Sequence, residues 1–221
     1  MSVDKVSVVI PCFNDEAYIA EAIYSVLNQT YPVWEVICVD DGSTDQSLAI
    51  VKAIDSSKLT ILSQVNSGAA AARNRGVKAT TGNLLCFLDA DDIWSATKLE
   101  RQIARMNHAQ ISFGHIQEFF DSTVQIQGSA RVMPGYSPIT MMIAKEDYLR
   151  VGEFNVDLVV AEFVDWLSRA KHLNMSMTMD DEIYALRRIH AGNVGRLKKP
   201  NANHYAVSLK AALDRKRSQS S

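Results

Sequence analysis

The chain has 221 residues and a formal net charge of −2, and it is 47% hydrophobic and 22% charged, ordinary values for a soluble globular protein. The near-neutral balance argues against nucleic-acid binding through a basic field, and no run approaches the roughly 20 apolar residues needed to span a bilayer. The segment Met1-Ser2-Val3-Asp4-Lys5 carries no signal-peptide apolar region, and Cys12, Cys38 and Cys86, odd in number and without metal-ligand spacing, read as core thiols of a cytoplasmic protein.

Val6-Ser7-Val8-Val9-Ile10 predicts a strand closed by Pro11. A helix is expected over 15–29, because Tyr18, Ile19, Ala22, Ile23, Val26 and Leu27 recur at helical spacing. A second strand, 34–39, runs into Asp40-Asp41-Gly42, and Ser43 or Thr44 caps a helix reaching about Ile54. A short strand at 59–62, a small-residue helix at 68–79, a strand at 82–89 and a helix at 96–106 complete a βαβαβαβα alternation. Near-continuous apolar strands in that order predict an α/β fold with a parallel sheet covered on both faces. The later part is less regular. Strands are expected at 111–119 and 124–126, a loop at 133–136, a strand at 139–144 and a helix at 145–151 ended by Gly152. A helix over 162–173, strands at 176–178 and 182–189, and a helix over 203–213 follow. No linker interrupts the chain, so one domain is expected: a half at 1–105, a second half at 106–213, and a polar basic tail at 214–221.

The chemistry concentrates at the carboxyl ends of the strands, where such sheets bind ligands. Pro11-Cys12-Phe13-Asn14, Asp40-Asp41-Gly42-Ser43 and Asp89-Ala90-Asp91-Asp92 all fall there. If the strand runs to its end, Asp89 and Asp91 point the same way. Two crowded carboxylates repel unless a cation lies between them, and a hard cation such as Mg²⁺ or Mn²⁺ bridging a diphosphate meets that need. The plainer alternative is an acidic turn in which Asp92 or Ser95 caps the next helix.

These blocks carry a resemblance. Val6 to Asn14, Ser25-Val26-Leu27-Asn28-Gln29-Thr30-Tyr31, Val39-Asp40-Asp41-Gly42-Ser43-Thr44-Asp45, Asn66-Ser67-Gly68 through Ala72-Arg73-Asn74, and Leu88-Asp89-Ala90-Asp91-Asp92 resemble family 2 glycosyltransferases of the GT-A fold. That resemblance implies a Rossmann-like, mostly parallel sheet with helices on both faces, and transfer of one sugar from a nucleotide-diphospho-sugar, expected to be a UDP-sugar, with inversion. It implies that Asp41 accepts a hydrogen bond from the base, that Pro11 and Phe13 flank the base, and that Asp89 contacts the ribose. Arg73, on the helix that opens at Gly68, would reach uridine or diphosphate, and Ala90 belongs to the same donor-binding segment. Asp91 would ligate Mn²⁺ or Mg²⁺, with His190 of Arg187-Arg188-Ile189-His190 as a second ligand. Arg187 and Arg188 either hold the diphosphate or flank a strand.

The resemblance weakens at the acceptor-activating base. After Gly152-Glu153-Phe154 the family pattern has Glu-Asp at a helix start, whereas here Ala161-Glu162-Phe163-Val164-Asp165-Trp166 has Phe163 where the Asp is expected. Glu162 is the first candidate base and Asp165 the second, with pairing of Asp165 to Arg169 as the structural alternative. Residues 133–143 and Trp166 are expected to line the acceptor site. The acceptor is a glycan, a lipid-linked glycan or another hydroxyl compound. A processive synthase is disfavoured, because its Gln-x-x-Arg-Trp signature is absent. A sugar-phosphate nucleotidyltransferase is disfavoured by the acidic loop after the first strand, and a dinucleotide-dependent oxidoreductase by the lack of Gly-x-Gly-x-x-Gly. A non-catalytic nucleotide-sugar-binding module has Phe163 as its support. Peripheral membrane contact through Arg215, Lys216 and Arg217 is weaker than a solvated tail.

Overall fold

Strand β1 (Val6–Cys12) is buried along its whole length, and successive side chains enter different layers. Val8, Ile10 and Cys12 pack with Ile19, Ile23 and Val26 of helix α1 (Ile19–Leu27). Val9 packs with Ala70, Ala72 and Val77 of helix α3 (Ala69–Ala79). The period-2 alternation of a strand thus feeds two apolar layers, which is why the run shows no polar face. The computed structural model describes residues 4–121, 130–158 and 161–190.

Strand β2 (Glu35–Asp40) and β4 (Leu84–Phe87) flank β1 in parallel, and β3 (Leu59–Ser63) lies outside β2. The chain moves outward from β1 to β3, past α2 (Ser47–Lys52), then returns through α3 to the opposite side of β1. That reversal opens a crevice at the carboxyl edge between β1 and β4. The second half joins by antiparallel pairing of β8 (Met142–Ala144) with β4. Beyond it lie β6 (Ile111–Phe120) and β9 (Met177–Ile189), paired in parallel, with β5 (Ile93–Trp94) on the edge of β9 and β7 (Val132–Pro134) on β6. Helices α4 (Lys98–Met106), α5 (Lys145–Val151) and α6 (Glu162–His172) cover this part.

Helix α3 seats unusually close to the sheet. A Cβ added at Gly76 would lie 2.3 Å from Val9 Cγ1 and 3.2 Å from Val39 Cγ2, so glycine is what permits the approach. The closeness lets α3 bind the second half through Asn74. Its Nδ2 donates to the Phe154 carbonyl at 2.8 Å, while its Oδ1 accepts from the Phe154 amide at 2.9 Å and the Tyr148 hydroxyl at 3.3 Å. All of these groups are buried.

Several elements differ from expectation. Strand β1 runs through Pro11, which sits opposite Val39. Helix α1 begins at Ile19, because residues 15–18 form a turn in which the Tyr18 and Ile19 amides donate to the Asp15 carbonyl. Helix α2 begins at Ser47 and is not capped by Ser43 or Thr44. The preceding loop is instead tied across to residues 14–16. The Asn14 amide donates to Ser43 Oγ, the Thr44 amide to Asn14 Oδ1, and the Asp15 amide to Ser47 Oγ. Met133 and Pro134 belong to β7 rather than a loop, and residues 139–144 divide into a 3₁₀ turn (Pro138–Thr140) and β8. The two closing strands are one, β9, whose register against β6 shifts near His115. The expected strand at 124–126, helix at 203–213 and tail at 214–221 lie outside the described residues. Among the described residues, no helix is long and apolar enough to cross a membrane.

Lys98 is fully buried in the core. Its ammonium lies 3.8 Å from Cys86 Sγ and 3.8 Å from the centre of the Trp94 ring, and it donates to Gln102 Oε1. Burial lowers its pKa to about 8 from the ordinary 10.5. Below pH 8 both folded and unfolded chains hold the proton, and the desolvation penalty is full. Between pH 8 and 10.5 the unfolded chain binds more protons, so stability rises with pH.

Two measurements follow. The thermal-midpoint difference between the parent and Lys98→Met should move in the parent's favour as pH is raised from about 7 to about 10; a difference that does not change with pH would show that Lys98 carries no such penalty. Asn74→Ala leaves the buried Phe154 amide and carbonyl without partners, which costs roughly 2–4 kcal/mol and should lower the midpoint by about 5–10 °C. A midpoint within about 2 °C of the parent would remove Asn74 as the tie between the halves.

Candidate active site

At the end of β2, Asp41 turns its carboxylate into the following loop rather than into solvent. Oδ1 accepts from Gln64 Nε2 at 2.7 Å and the Ser67 amide at 2.8 Å, and Oδ2 accepts from the Gly68 amide at 2.8 Å. Gly68 has φ of 90°, a backbone region that suits glycine. Asp41 therefore shapes the loop that leads into α3, with one acceptor direction left for a ligand donor. Across the crevice, Pro11 is buried in β1 while the Phe13 ring is 43% exposed beside it. Asn14, at φ 57°, turns the chain there.

Strand β4 stops at Phe87, and residues 88–92 form a turn closed by the Asp92 amide donating to the Asp89 carbonyl. Within it Ala90 and Asp92 are buried, whereas the Asp89 and Asp91 side chains are 36% and 24% exposed. Asp92 accepts the Arg188 amide at 2.9 Å. Burial pushes its pKa well above the usual carboxylate range, and Asp91 and Asp89 push it further. Asp15 belongs to the same acidic group: burial first, then Asp91 and Asp89, raise it to about 7 against the lowering effect of the Phe13 amide. It had no signal in the sequence beyond lying in the loop after β1.

Asp89 and Asp91 take different partners. Asp91 Oδ2 lies 3.0 Å from His190 Nε2, at the end of β9. That spacing suits a hydrogen bond, and the same two side chains are the ones that would hold a cation here. Carboxylate oxygen and imidazole nitrogen suit Mn²⁺, and a nucleotide diphosphate would supply further oxygens. Among the described residues, no group of three or more His, Cys, Asp or Glu side chains is arranged to hold a metal. Arg188 is a buried brace. Nε donates to the Asp91 carbonyl at 3.0 Å, Nη2 pairs with Glu21, and the guanidinium stacks near Tyr18 and Phe119 at 4.7 and 4.6 Å. Arg187 instead is exposed and lines the cleft.

Asp89 Oδ1 accepts from Arg73 Nη2 at 2.6 Å, and Arg73 Nη1 donates to Glu162 Oε1 at 3.1 Å. Glu162 opens α6 directly after Ala161, a non-glycine residue at φ 70°. Such backbone strain is found where surrounding structure holds a side chain in a required place. Phe163 packs in the core, stacked on Trp166 at 6.0 Å and edge-on to Phe113 at 6.2 Å. Trp166 is fully buried and stacks on Tyr148, so it does not line an acceptor site; its indole donates to the Gly152 carbonyl. Asp165 pairs with Arg169 at 3.0 Å, and Arg169 in turn donates to the carbonyls of Val151 and Glu153. Asp165 thus braces the 151–153 turn. Met133, Pro134, Gly135, Tyr136, Ser137 and Ile139 line a cavity of about 290 Å³ together with Asp89, Asp92 and Arg187.

Over 109 residues the chain is 43% identical to the UDP-Glc:alpha-D-GlcNAc-diphosphoundecaprenol beta-1,3-glucosyltransferase WfgD of Escherichia coli, covering 49% of this chain and 43% of that protein. It is 40% identical over 111 residues to the putative teichuronic acid biosynthesis glycosyltransferase TuaG of Bacillus subtilis, with coverage of 49% and 44%. The matched region is thus under half the length of either relative. Among solved structures, S. aureus TarS 1-349 in complex with UDP-GlcNAc matches with a TM-score of 0.71 and 25% identity, covering 86% of this chain and 60% of that fragment. The complex of the same protein with UDP matches at 0.69 and 26% identity, covering 84% and 60%. The fold is accordingly GT-A, and the family model for glycosyl transferase family 2 matches residues 7–159; the chain belongs to glycosyl transferase family 2.

Proposed function

We propose that the protein is an inverting, metal-assisted glycosyltransferase that moves one sugar from a UDP-sugar to an acceptor hydroxyl. The observation that carries this reading is the meeting of two halves at one guanidinium. Asp89, at the end of β4, and Glu162, at the start of α6, both pair with Arg73. A donor-side carboxylate and a candidate base therefore stand at one crevice. The uridine donor is supported by the relative that uses UDP-Glc and by TarS bound to UDP and UDP-GlcNAc.

In this mechanism the base lies between Phe13 and the Asp41 loop, with the free acceptor direction of Asp41 meeting a ring N–H. The ribose contacts Asp89, and Ala90, Gly68 and Pro11 give the close backbone surface around the nucleotide. Asp91 and His190 would hold Mn²⁺ or Mg²⁺, which when bound neutralises charge on the departing nucleoside diphosphate. The sugar projects toward the cavity formed by residues 133–137, where Arg187 adds positive charge. Glu162 takes the acceptor proton. Its Oε1 is fixed by Arg73, and its side chain is 18% exposed, so a substrate hydroxyl has access to the carboxylate. The oxygen so activated attacks the anomeric carbon from the face opposite the diphosphate, which inverts the configuration. Asp165, engaged by Arg169, is assigned to hold α6 rather than to move a proton.

The acceptor class is a polysaccharide or lipid-linked glycan, supported by the names of WfgD and TuaG. The cysteines Cys12, Cys38 and Cys86 are buried free thiols, which suits a reducing cytoplasm.

UDP with Mn²⁺ should raise the thermal midpoint by about 5–10 °C at concentrations near 100 times Kd, with GDP, CDP and ADP giving less. Asp91→Ala and His190→Ala should each remove the Mn²⁺-dependent part of the shift. No stabilisation by any nucleotide would sink the proposal. Glu162→Gln should keep the UDP shift and lower turnover by roughly 10²–10⁴-fold, whereas Asp165→Asn should mainly lower the midpoint. A Glu162→Gln protein with parent turnover would remove Glu162 as base.

A further inference from the structure

We infer that Arg73 does not bind the donor but is the positioning residue that aims Glu162, linking the aim of the base to the donor-side carboxylate Asp89. The inference rests on the assignment of Glu162 as base.

Arg73 is 4% exposed. Nη2 is engaged by Asp89 at 2.6 Å and Nη1 by Glu162 at 3.1 Å. Its Nε is buried without a hydrogen-bond partner among the described residues, and the Phe154 ring lies 5.9 Å from the guanidinium carbon. To reach a diphosphate or a uridine, the side chain would have to leave two carboxylates, one of them fixed on a strained helix start. Arg73 is the buried partner, and a buried charge that loses its counter-charges is strongly disfavoured. The orphan Nε is informative. An arginine placed to recognise phosphate uses its fork of donors on the ligand. Here the fork spans two elements of the protein, and one donor goes unmatched so that the span is met. Burial lowers proton affinity at Arg73, but Asp89 and Glu162 more than offset this and raise its pKa, so the guanidinium remains charged throughout.

The backbone supports the same role. Asn74, the next residue, fixes α3 to Phe154 through a buried pair of hydrogen bonds, so the root of the Arg73 side chain is fixed relative to the second half. On the other side, Ala161 at φ 70° delivers Glu162 to the guanidinium. A base displaced by about 1 Å loses on the order of 10²-fold in rate, so a device that fixes it is expected to appear in turnover rather than in donor affinity.

The test is a cycle of Arg73→Lys, Glu162→Gln and the double variant. UDP affinity is measured by calorimetry with Mn²⁺, and turnover as UDP release from UDP-glucose and UDP-N-acetylglucosamine. A lysine keeps the charge but cannot fork to two carboxylates. Arg73→Lys should lower kcat by about 10²-fold while UDP affinity stays within about threefold of the parent. In the Glu162→Gln background the same change should cost less than about threefold further, because residues acting as a unit are not additive. A tenfold or larger loss of UDP affinity in both backgrounds would make Arg73 a donor ligand and overturn the inference, leaving the base assignment intact. Parent-level turnover in Glu162→Gln would instead overturn the base, and this inference with it. A parent that releases UDP from neither sugar nucleotide would overturn both. If Arg73→Lys does not fold, Glu162→Asp shortens the other arm and leaves Arg73 in place. It should lower kcat with unchanged UDP affinity, and unchanged kcat would refute the positioning role.

Discussion

Crowding of negative charge at the carboxyl edge of the sheet is the constraint on which the arrangement turns. Asp15, Asp89, Asp91, Asp92 and Glu162 gather around one crevice, and the pKa values of Asp15 and Asp92 are raised by burial first and then by Asp91 and Asp89. The fold distributes this charge rather than dispersing it. Arg73 takes Asp89 and Glu162, His190 takes Asp91, and the Arg188 amide takes Asp92. The partners come from two places in the fold: Arg73 from α3, and Arg188 and His190 from β9 and the residue directly after it. Cutting any one pairing would leave a partly buried carboxylate facing another, a costly state in a medium less polar than water.

Such a distribution requires the two halves to be held in register, and α3 does this. Gly76 lets the helix settle against Val9 and Val39. At that depth, Asn74 reaches the backbone of Phe154 and Arg73 reaches Glu162. The aromatic group of Phe113, Tyr148, Phe154, Phe163 and Trp166 then fills the space behind the contact. Phe163 has a clear place in this arrangement. It continues an apolar layer at the site where the family pattern has a carboxylate, and Glu162, one residue earlier, carries the acid to the crevice. The polar residue and the apolar residue at the helix start serve different faces of α6.

The legible part of the sequence was the part governed by local pattern. Residues in β1, β2 and β4 are apolar because both faces of the strands are covered, so their positions and the polar loops after them could be read directly. Helix α5 ends at Gly152, with φ of 89°, where the glycine predicts it. What escaped reading depends on contacts distant in the chain. Arg73 and Glu162 are 89 positions apart, and Asn74 and Phe154 are 80 apart, so no local rule could direct Arg73 inward instead of toward a phosphate. Trp166 illustrates the same limit. On a helix near the expected acceptor site an indole reads as a platform, yet its stacking on Tyr148 and its hydrogen bond to Gly152 make it core. The sequence predicts two strands where β9 is one, because Asp180, Asp181 and Glu182 interrupt the apolar run. Asp180 is accommodated by the Tyr184 hydroxyl and Arg105, so the strand passes through.

The charge distribution also bears on what the crevice requires of its ligand. A nucleoside diphosphate brings further negative charge to an edge that is already acidic. Arg73 and Arg188 are buried and engaged with carboxylates and carbonyls, so neither is free to turn toward a phosphate without exposing an acid. Arg187, exposed on the cavity wall, contributes a point of attraction but stands in solvent, where screening weakens it. A divalent cation between Asp91, His190 and the diphosphate would reverse the sign of the local field at the place where the leaving group develops charge. An acidic edge of this kind would disfavour a bare nucleotide and favour its metal complex. If the donor arrives with a cation, as proposed, selectivity for that complex would arise from the same repulsion that Arg73 and His190 hold in check in the free protein.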